Sequence, residues 1–92
     1  MSTVNVFLSG TLADIAGNKK ITIEATLLSH ALESLSSRFG DEFRTRLFDK
    51  NGKPRRFINI YINGRDYRFL KKLDTPLSGN DAISIIPAVS GG

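Results

Sequence analysis

The chain reads as an α+β domain, a mixed sheet of about four to five strands covered by one main helix. Three features lead there. Apolar residues at period two open the chain (Val4, Val6, Leu8), recur mid-chain (Ile58, Ile60, Ile62) and return near its end (Ile83, Ile85). A single stripe at helical period lies between the first two groups: Leu28, Ala31, Leu32, Leu35 and Phe39. Glycines, two of them in Asn-Gly pairs, punctuate the joins.

Val4 to Ser9 is the first strand, half buried, and Gly10 ends it. Thr11 to Ala16 reads as a short connector whose Leu12 and Ile15 cover an edge of the core. Gly17-Asn18 is a turn, and Lys19 to Ala25 alternates again, with Ile21, Ile23 and Ala25 on one face. The two strands make a hairpin. Thr26 is placed to cap the helix that follows, its hydroxyl accepting an orphan backbone N–H. Gly40 stands where a left-handed cap stops that helix. Asp41 to Phe48 forms a further turn with Phe43 and Leu47 inward, and Asp49-Lys50-Asn51-Gly52 is a tight turn. Phe57 to Ile62 is the strongest strand. Asn63-Gly64 turns the chain, and Arg65 to Leu70 is expected to return as a strand. Lys71 to Asn80 is irregular, broken by Pro76 and Gly79. Asn80-Asp81 leads into the last strand, Ala82 to Ile86.

The order is β-β-α-β-β-β. The most apolar strands, first and last, belong at the centre and run parallel, because the helix between them supplies the long crossover a parallel pair needs. This arrangement is a β-grasp fold. It occupies residues 1–88 as one domain, with a flexible tail over 89–92.

Composition narrows the function. The chain is 40% hydrophobic, enough for one modest core. It has no cysteine, hence no disulfide, zinc knuckle or thiol nucleophile. No apolar run approaches the ~20 residues of a membrane span, and the N-terminus lacks a basic signal region. A cytoplasmic protein is expected, with no membrane partner. The net charge is +4, and much of the excess lies between Arg44 and Lys72. Such a set suits an acidic partner or a nucleic acid backbone, or is a solvated hairpin edge that deters strand aggregation.

Catalytic groupings are scarce. His30 is the only histidine and belongs on the helix flank. Without cysteine or a second histidine there is no zinc site, so no metal and no bound cofactor are expected. No acidic pair has acid/base spacing. Asp41-Glu42 serves as first-turn charge. The group left with distinctive chemistry is the α-carboxylate of Gly92, behind Gly91. Two residues without Cβ can lie in a slot too narrow for others, so the tail can be handed to another protein's active site. The other reading is a frayed, solubilising end.

Phe57-Ile-Asn-Ile-Tyr-Ile-Asn-Gly64, Asp74-Thr-Pro-Leu-Ser-Gly-Asn-Asp81 and the closing Ile83-Ser-Ile-Ile-Pro-Ala-Val-Ser-Gly-Gly92 resemble the MoaD/ThiS family of ubiquitin-like sulfur carriers. The first hairpin and the helix fit in type and order. The resemblance implies a cycle in which an adenylyltransferase of the ubiquitin-activating type spends ATP to adenylate Gly92. A sulfur donor then converts it to a thiocarboxylate, which delivers sulfur to a partner enzyme such as a cysteine synthase or a molybdopterin synthase large subunit. Thiamine and tRNA thiolation are the other destinations. Leu47 to Arg56 is extra relative to thiamine-type carriers. Arg56 to Asn63 with Asp66-Tyr-Arg-Phe69 looks closer to carriers that feed a cysteine synthase, and archaeal members, some joined to lysines, are also similar.

Parity places the partner face. If Val4, Ile60 and Ile85 point to the helix, then Phe7, Tyr61 and Ile86 point away and form an apolar patch on the open sheet face. Pro87, Ala88, Val89 and Ser90 lead from it to the glycines. Cross-strand packing alone is the plainer account of such aromatics. Three rival readings remain open: a ubiquitin-like modifier conjugated to lysines, a nucleic-acid binder using Arg55, Arg56, Arg65, Arg68, Lys71 and Lys72 among Phe57, Tyr61, Tyr67 and Phe69, and a passive subunit with a free tail.

Overall fold

A computed structural model describes residues 2–88; Val89, Ser90, Gly91 and Gly92, and with them the expected tail, lie outside the described residues. The elements are β1 (Ser2–Leu8), α1 (Gly10–Ala16), β2 (Lys20–Ala25), α2 (Leu28–Phe39), α3 (Asp41–Leu47), β3 (Ile58–Ile62), β4 (Arg65–Asp66) and β5 (Ala82–Pro87). Two 3-10 turns, Tyr67–Phe69 and Lys72–Asp74, stand between β4 and β5. The sheet has five strands in the order β2-β1-β5-β3-β4. As expected, the first and last strands are parallel neighbours, with Val6 beside Ile83 and Leu8 beside Ile85. The other pairings are antiparallel.

Alternation decides which face is buried. Val4, Val6, Ile60, Ile83 and Ile85 are fully inaccessible, and α2 lays Leu28, Ala31, Leu32 and Leu35 over them. Phe43 and Leu47 of α3 are equally inaccessible, and Phe39 packs half-buried against the Phe43 ring at 5.4 Å between centroids. The Ser36 hydroxyl, also buried, donates to the Leu32 carbonyl one turn back, so the helix satisfies it.

Four local expectations are corrected. Residues 11–16 are not a plain connector: Gly10–Ala16 is a helix that buries Leu12 and Ala13, closed by Gly17 in the left-handed region. Seven residues are too few to show a helical period. Thr26 is not the cap of α2. Leu27 holds that position, and the Leu28 N–H donates 3.0 Å to the Thr75 carbonyl, while the Thr26 carbonyl accepts from Leu77. A distant backbone segment therefore does the capping. Gly40 ends α2 at φ 96° and ψ −173°, outside the left-handed helical region but still open mainly to glycine, and it also starts α3. Arg65 to Leu70 does not return as a full strand. Pairing stops at Asp66, whose carboxylate accepts the Arg68 N–H at 2.9 Å and curls the chain into a 3-10 turn.

One end of the sheet is stapled by polar side chains. Asn63, at φ 52°, donates 2.9 Å to the Asp81 carboxylate and accepts from the Ala82 N–H, while Asp81 also holds the Ser78 N–H. Both the Asn63-Gly64 turn and the Asp-led strand thus have a structural task. No described helix is long and apolar enough to cross a membrane.

Candidate functional site

Strand β5 brings the chain to the tail. Its even residues bond to β3: the Ala82 carbonyl accepts from Asn63 and the Ala88 N–H donates 2.6 Å to Phe57. Its odd residues face β1, as Asp81 does in accepting the Asn5 N–H. Pro87 is therefore placed where its missing donor faces the β1 side, and the ladder to β1 has already stopped at Ile85. The chain leaves the sheet held from one side only. Gly10, at the start of α1, lies close by, such that a Cβ there would sit 3.6 Å from the Pro87 ring.

Beside this exit lies an open groove of about 620 Å³ between α1, α3 and the ends of β3 and β5. Pro87 and Ala88 line it together with Leu12, Arg46, Arg55 and Phe57. Phe57 is 64% exposed, too open to be a core residue. Arg55 donates from Nε to the Thr45 carbonyl at 2.7 Å, which fixes its guanidinium on the α3 side. This groove was not legible in the sequence, because it forms where four separated segments meet.

The open sheet face carries the three residues placed there by parity. Ser84 pairs with Phe7 on one side and Tyr61 on the other, so the two rings flank a small residue, about 10 Å apart at their Cα atoms. Ile86 follows one row further, opposite Asn59. Phe7 and Ile86 are 39% and 42% exposed, and Tyr61 is half-buried. Polar neighbours that parity alone did not single out complete the face. Lys20, opposite Phe7, holds its ammonium 5.7 Å from the ring centroid. On the far flank Arg68 bonds both Asp66 carboxylate oxygens and, at 3.0 Å, the Asn59 amide oxygen. The Arg68 backbone N–H and then its guanidinium hold the Asp66 carboxyl below the usual carboxylate range. An apolar centre thus stands between two cations. Pro87 is half-buried and Ala88 exposed, while Val89, Ser90, Gly91 and Gly92 lie outside the described residues. His30 is exposed on α2 and is not among the residues lining the groove.

The architecture is that of the ubiquitin-like β-grasp class, and it aligns over its full length with the small archaeal modifier protein 1 of Methanosarcina acetivorans. That solution structure gives a TM-score of 0.90 at 32% identity, covering 100% of this chain and 98% of the other. The ThiS family model matches residues 6–92, and the chain belongs to that family. Among its relatives is the sulfur carrier protein CysO of Mycobacterium tuberculosis, 35% identical over 78 residues that make up 83% of each chain. The CysO chain solved in complex with BexX from Amycolatopsis orientalis aligns at a TM-score of 0.84 and 30% identity, over 97% of this chain and 99% of that one.

Proposed function

We propose that the protein is a non-catalytic sulfur carrier in which Gly92 is the attachment point. The observation that carries this reading is a family match running through Gly92 in a chain without cysteine. Sulfur carried by these residues has no thiol to ride on, which leaves the carboxylate. A carboxylate resists attack by a sulfur nucleophile, so oxygen must first become a leaving group. The Gly92 carboxylate attacks the α-phosphorus of ATP in an activating enzyme of the ubiquitin-activating type and expels pyrophosphate. A sulfide-level donor then attacks the acyl carbon, the C–S bond forms, and AMP leaves with the oxygen. The thiocarboxylate passes its sulfur to an acceptor enzyme, of the cysteine synthase or molybdopterin synthase type that the sequence resemblance indicates. ATP belongs to the activating partner, and the carrier itself holds no cofactor.

The carrier supplies two surfaces. The face of Phe7, Tyr61 and Ile86 docks the activating enzyme, and the exit at Pro87 and Ala88 aims Val89, Ser90, Gly91 and Gly92 into its active site. The relative solved with BexX supports a role that depends on a partner.

A second reading uses the same adenylate. The likeness to a small archaeal modifier protein favours conjugation, in which a lysine amine rather than sulfur attacks the acyl carbon. Intact mass spectrometry of the protein from its native host separates the two. A mass rise equal to the exchange of one oxygen for one sulfur supports the carrier, and isopeptide-linked species support the modifier. Unchanged carboxylate after incubation with the activating enzyme, ATP and sulfide would exclude both.

A further inference from the structure

Charge is segregated along the chain in a way the carrier cycle does not require. Residues 50–72 hold eight of the thirteen cations and only one carboxylate, Asp66, a net of +7 against −3 for the rest. The fold gathers part of this excess. The loop after α3 and the two 3-10 turns come together around an open groove of about 430 Å³, lined by Lys53, Tyr67, Arg68, Lys71, Lys72 and Asp74 among others. Arg68 is committed to Asp66 and Asn59, but Lys53, Lys71 and Lys72 make no ion pair among the described residues. Asp74 is the single carboxylate on the groove wall.

Two further features point outward at this place. Phe69, between Arg68 and Lys71 in sequence, is 86% exposed, the most exposed of the large hydrophobic side chains among the described residues. It adds nothing to the core. Lys72 has φ 55°, a left-handed conformation that is unfavourable for a residue other than glycine. Among the described residues, the other non-glycine residues at positive φ are Asn63 and Asn80, of the type that tolerates it. The strain at Lys72 is held by Thr75, whose hydroxyl and N–H both donate to the Lys72 carbonyl, at 2.6 and 3.1 Å. The turn therefore fixes the backbone from which a lysine projects, at a position where asparagine or glycine fits at lower cost.

We propose that this groove is a docking site for an acidic polypeptide segment of a partner protein, with Lys53, Lys71 and Lys72 taking its carboxylates and Phe69 covering an apolar side chain beside them. Charge complementarity selects the acidic partner, and an exposed ring on the same turn as the groove-lining Arg68 is the kind of anchor on which protein interfaces concentrate affinity. A single-stranded nucleic acid suits the site less well. Base stacking along a strand needs successive open rings, and the Tyr67 ring is half-buried with the Arg68 guanidinium 5.9 Å from its centroid. The groove is lined by residues between Lys53 and Asp74, and the proposed binding does not depend on the chemistry of Gly92.

The test is an NMR titration of the isotope-labelled full chain at near-physiological salt, about 0.15 M. The probes are a capped Glu-Glu-Leu-Glu-Glu peptide and, separately, oligothymidylate. The peptide is expected to give saturable shifts in the amides of Lys53, Phe69, Lys71 and Lys72. The double variant Lys71→Glu, Lys72→Glu should lower its affinity about tenfold or more, and Phe69→Ala should lower it measurably at unchanged charge. The double variant Lys19→Glu, Arg38→Glu makes the same charge change elsewhere and should bind within about twofold of the parent. A chain lacking Gly91 and Gly92 should bind equally, which keeps this result distinct from any failure of the carrier reading. Absence of saturable shifts, equal weakening by the control pair, or loss of binding without the glycines would overturn the proposal. Oligothymidylate occupying the same amides more tightly than the peptide would also overturn it and assign the groove to nucleic acid.

Discussion

Ile85 and Ile86 are adjacent and equally apolar, yet the strand sends one into the core at 0% exposure and leaves the other 42% open on the far face. An aspartate at 85 would bury a carboxylate with no partner among the surrounding side chains, and Ile85→Asp is expected to cost more than about 4 kcal/mol and abolish cooperative melting. Ile86→Asp places the same group in water, and its expected cost is below about 1 kcal/mol. With that variant folded, adenylation by the activating enzyme should fall to background, because a charge then stands on the face proposed to dock that enzyme. Thermal melts read the first outcome, and pyrophosphate release the second. Normal adenylation by a folded Ile86→Asp would remove this face from the function. The contrast was legible in the sequence, since period two assigns every residue of a buried strand to one side or the other.

At the scale of the elements, legibility followed length. The stripe of α2 and the runs of β1, β3 and β5 repeat their period often enough to fix both type and face. The segments that were misread are short and governed by partners remote in sequence. Thr26 looks like a cap, but the Thr75 carbonyl takes the Leu28 N–H instead. Asp66 looks like a strand residue, but its carboxylate captures the Arg68 N–H and ends β4 after two residues. That capture has a pH signature. The folded Asp66 carboxyl is shifted down, so its contribution is complete above the unfolded value of about 3.9 and is lost as pH falls through the lower folded value. The Arg68 amide resonance should therefore titrate with a midpoint below about 3.9, and Asp66→Asn should remove the transition. A midpoint at or above that value would mean that the 3-10 turn is not capped in solution. Of the candidate site, the three-residue patch was readable from parity. The groove at the exit and the Lys20 and Arg68 flanks were not, because they depend on which strands are neighbours.

At the scale of the whole molecule, the buried core lies within the described residues, and the carboxylate proposed to react lies outside them. The described residues have a radius of gyration of 12.0 Å, close to the roughly 12 Å expected of a compact chain of this length. The buried cluster runs from Val4 to Ile85. Removing residues 89–92 should therefore change stability by less than about 0.5 kcal/mol while abolishing thiocarboxylate formation. Denaturant unfolding and intact mass on the same truncated sample check both halves. A large loss of stability would show that the tail is part of the fold rather than a group it presents.

The position of β5 has a consequence for synthesis. The strand that lies between β1 and β3 is the last to leave the ribosome, so the sheet lacks its middle while the chain is being made. Until Ala82–Pro87 emerges, β1 has no parallel partner and β3 no antiparallel one beyond the short β4. A product truncated before Ala82 would leave the β1 and β3 edges unpaired, and such edges invite aggregation. Only a molecule in which β5 has joined both neighbours presents Pro87 on an ordered sheet.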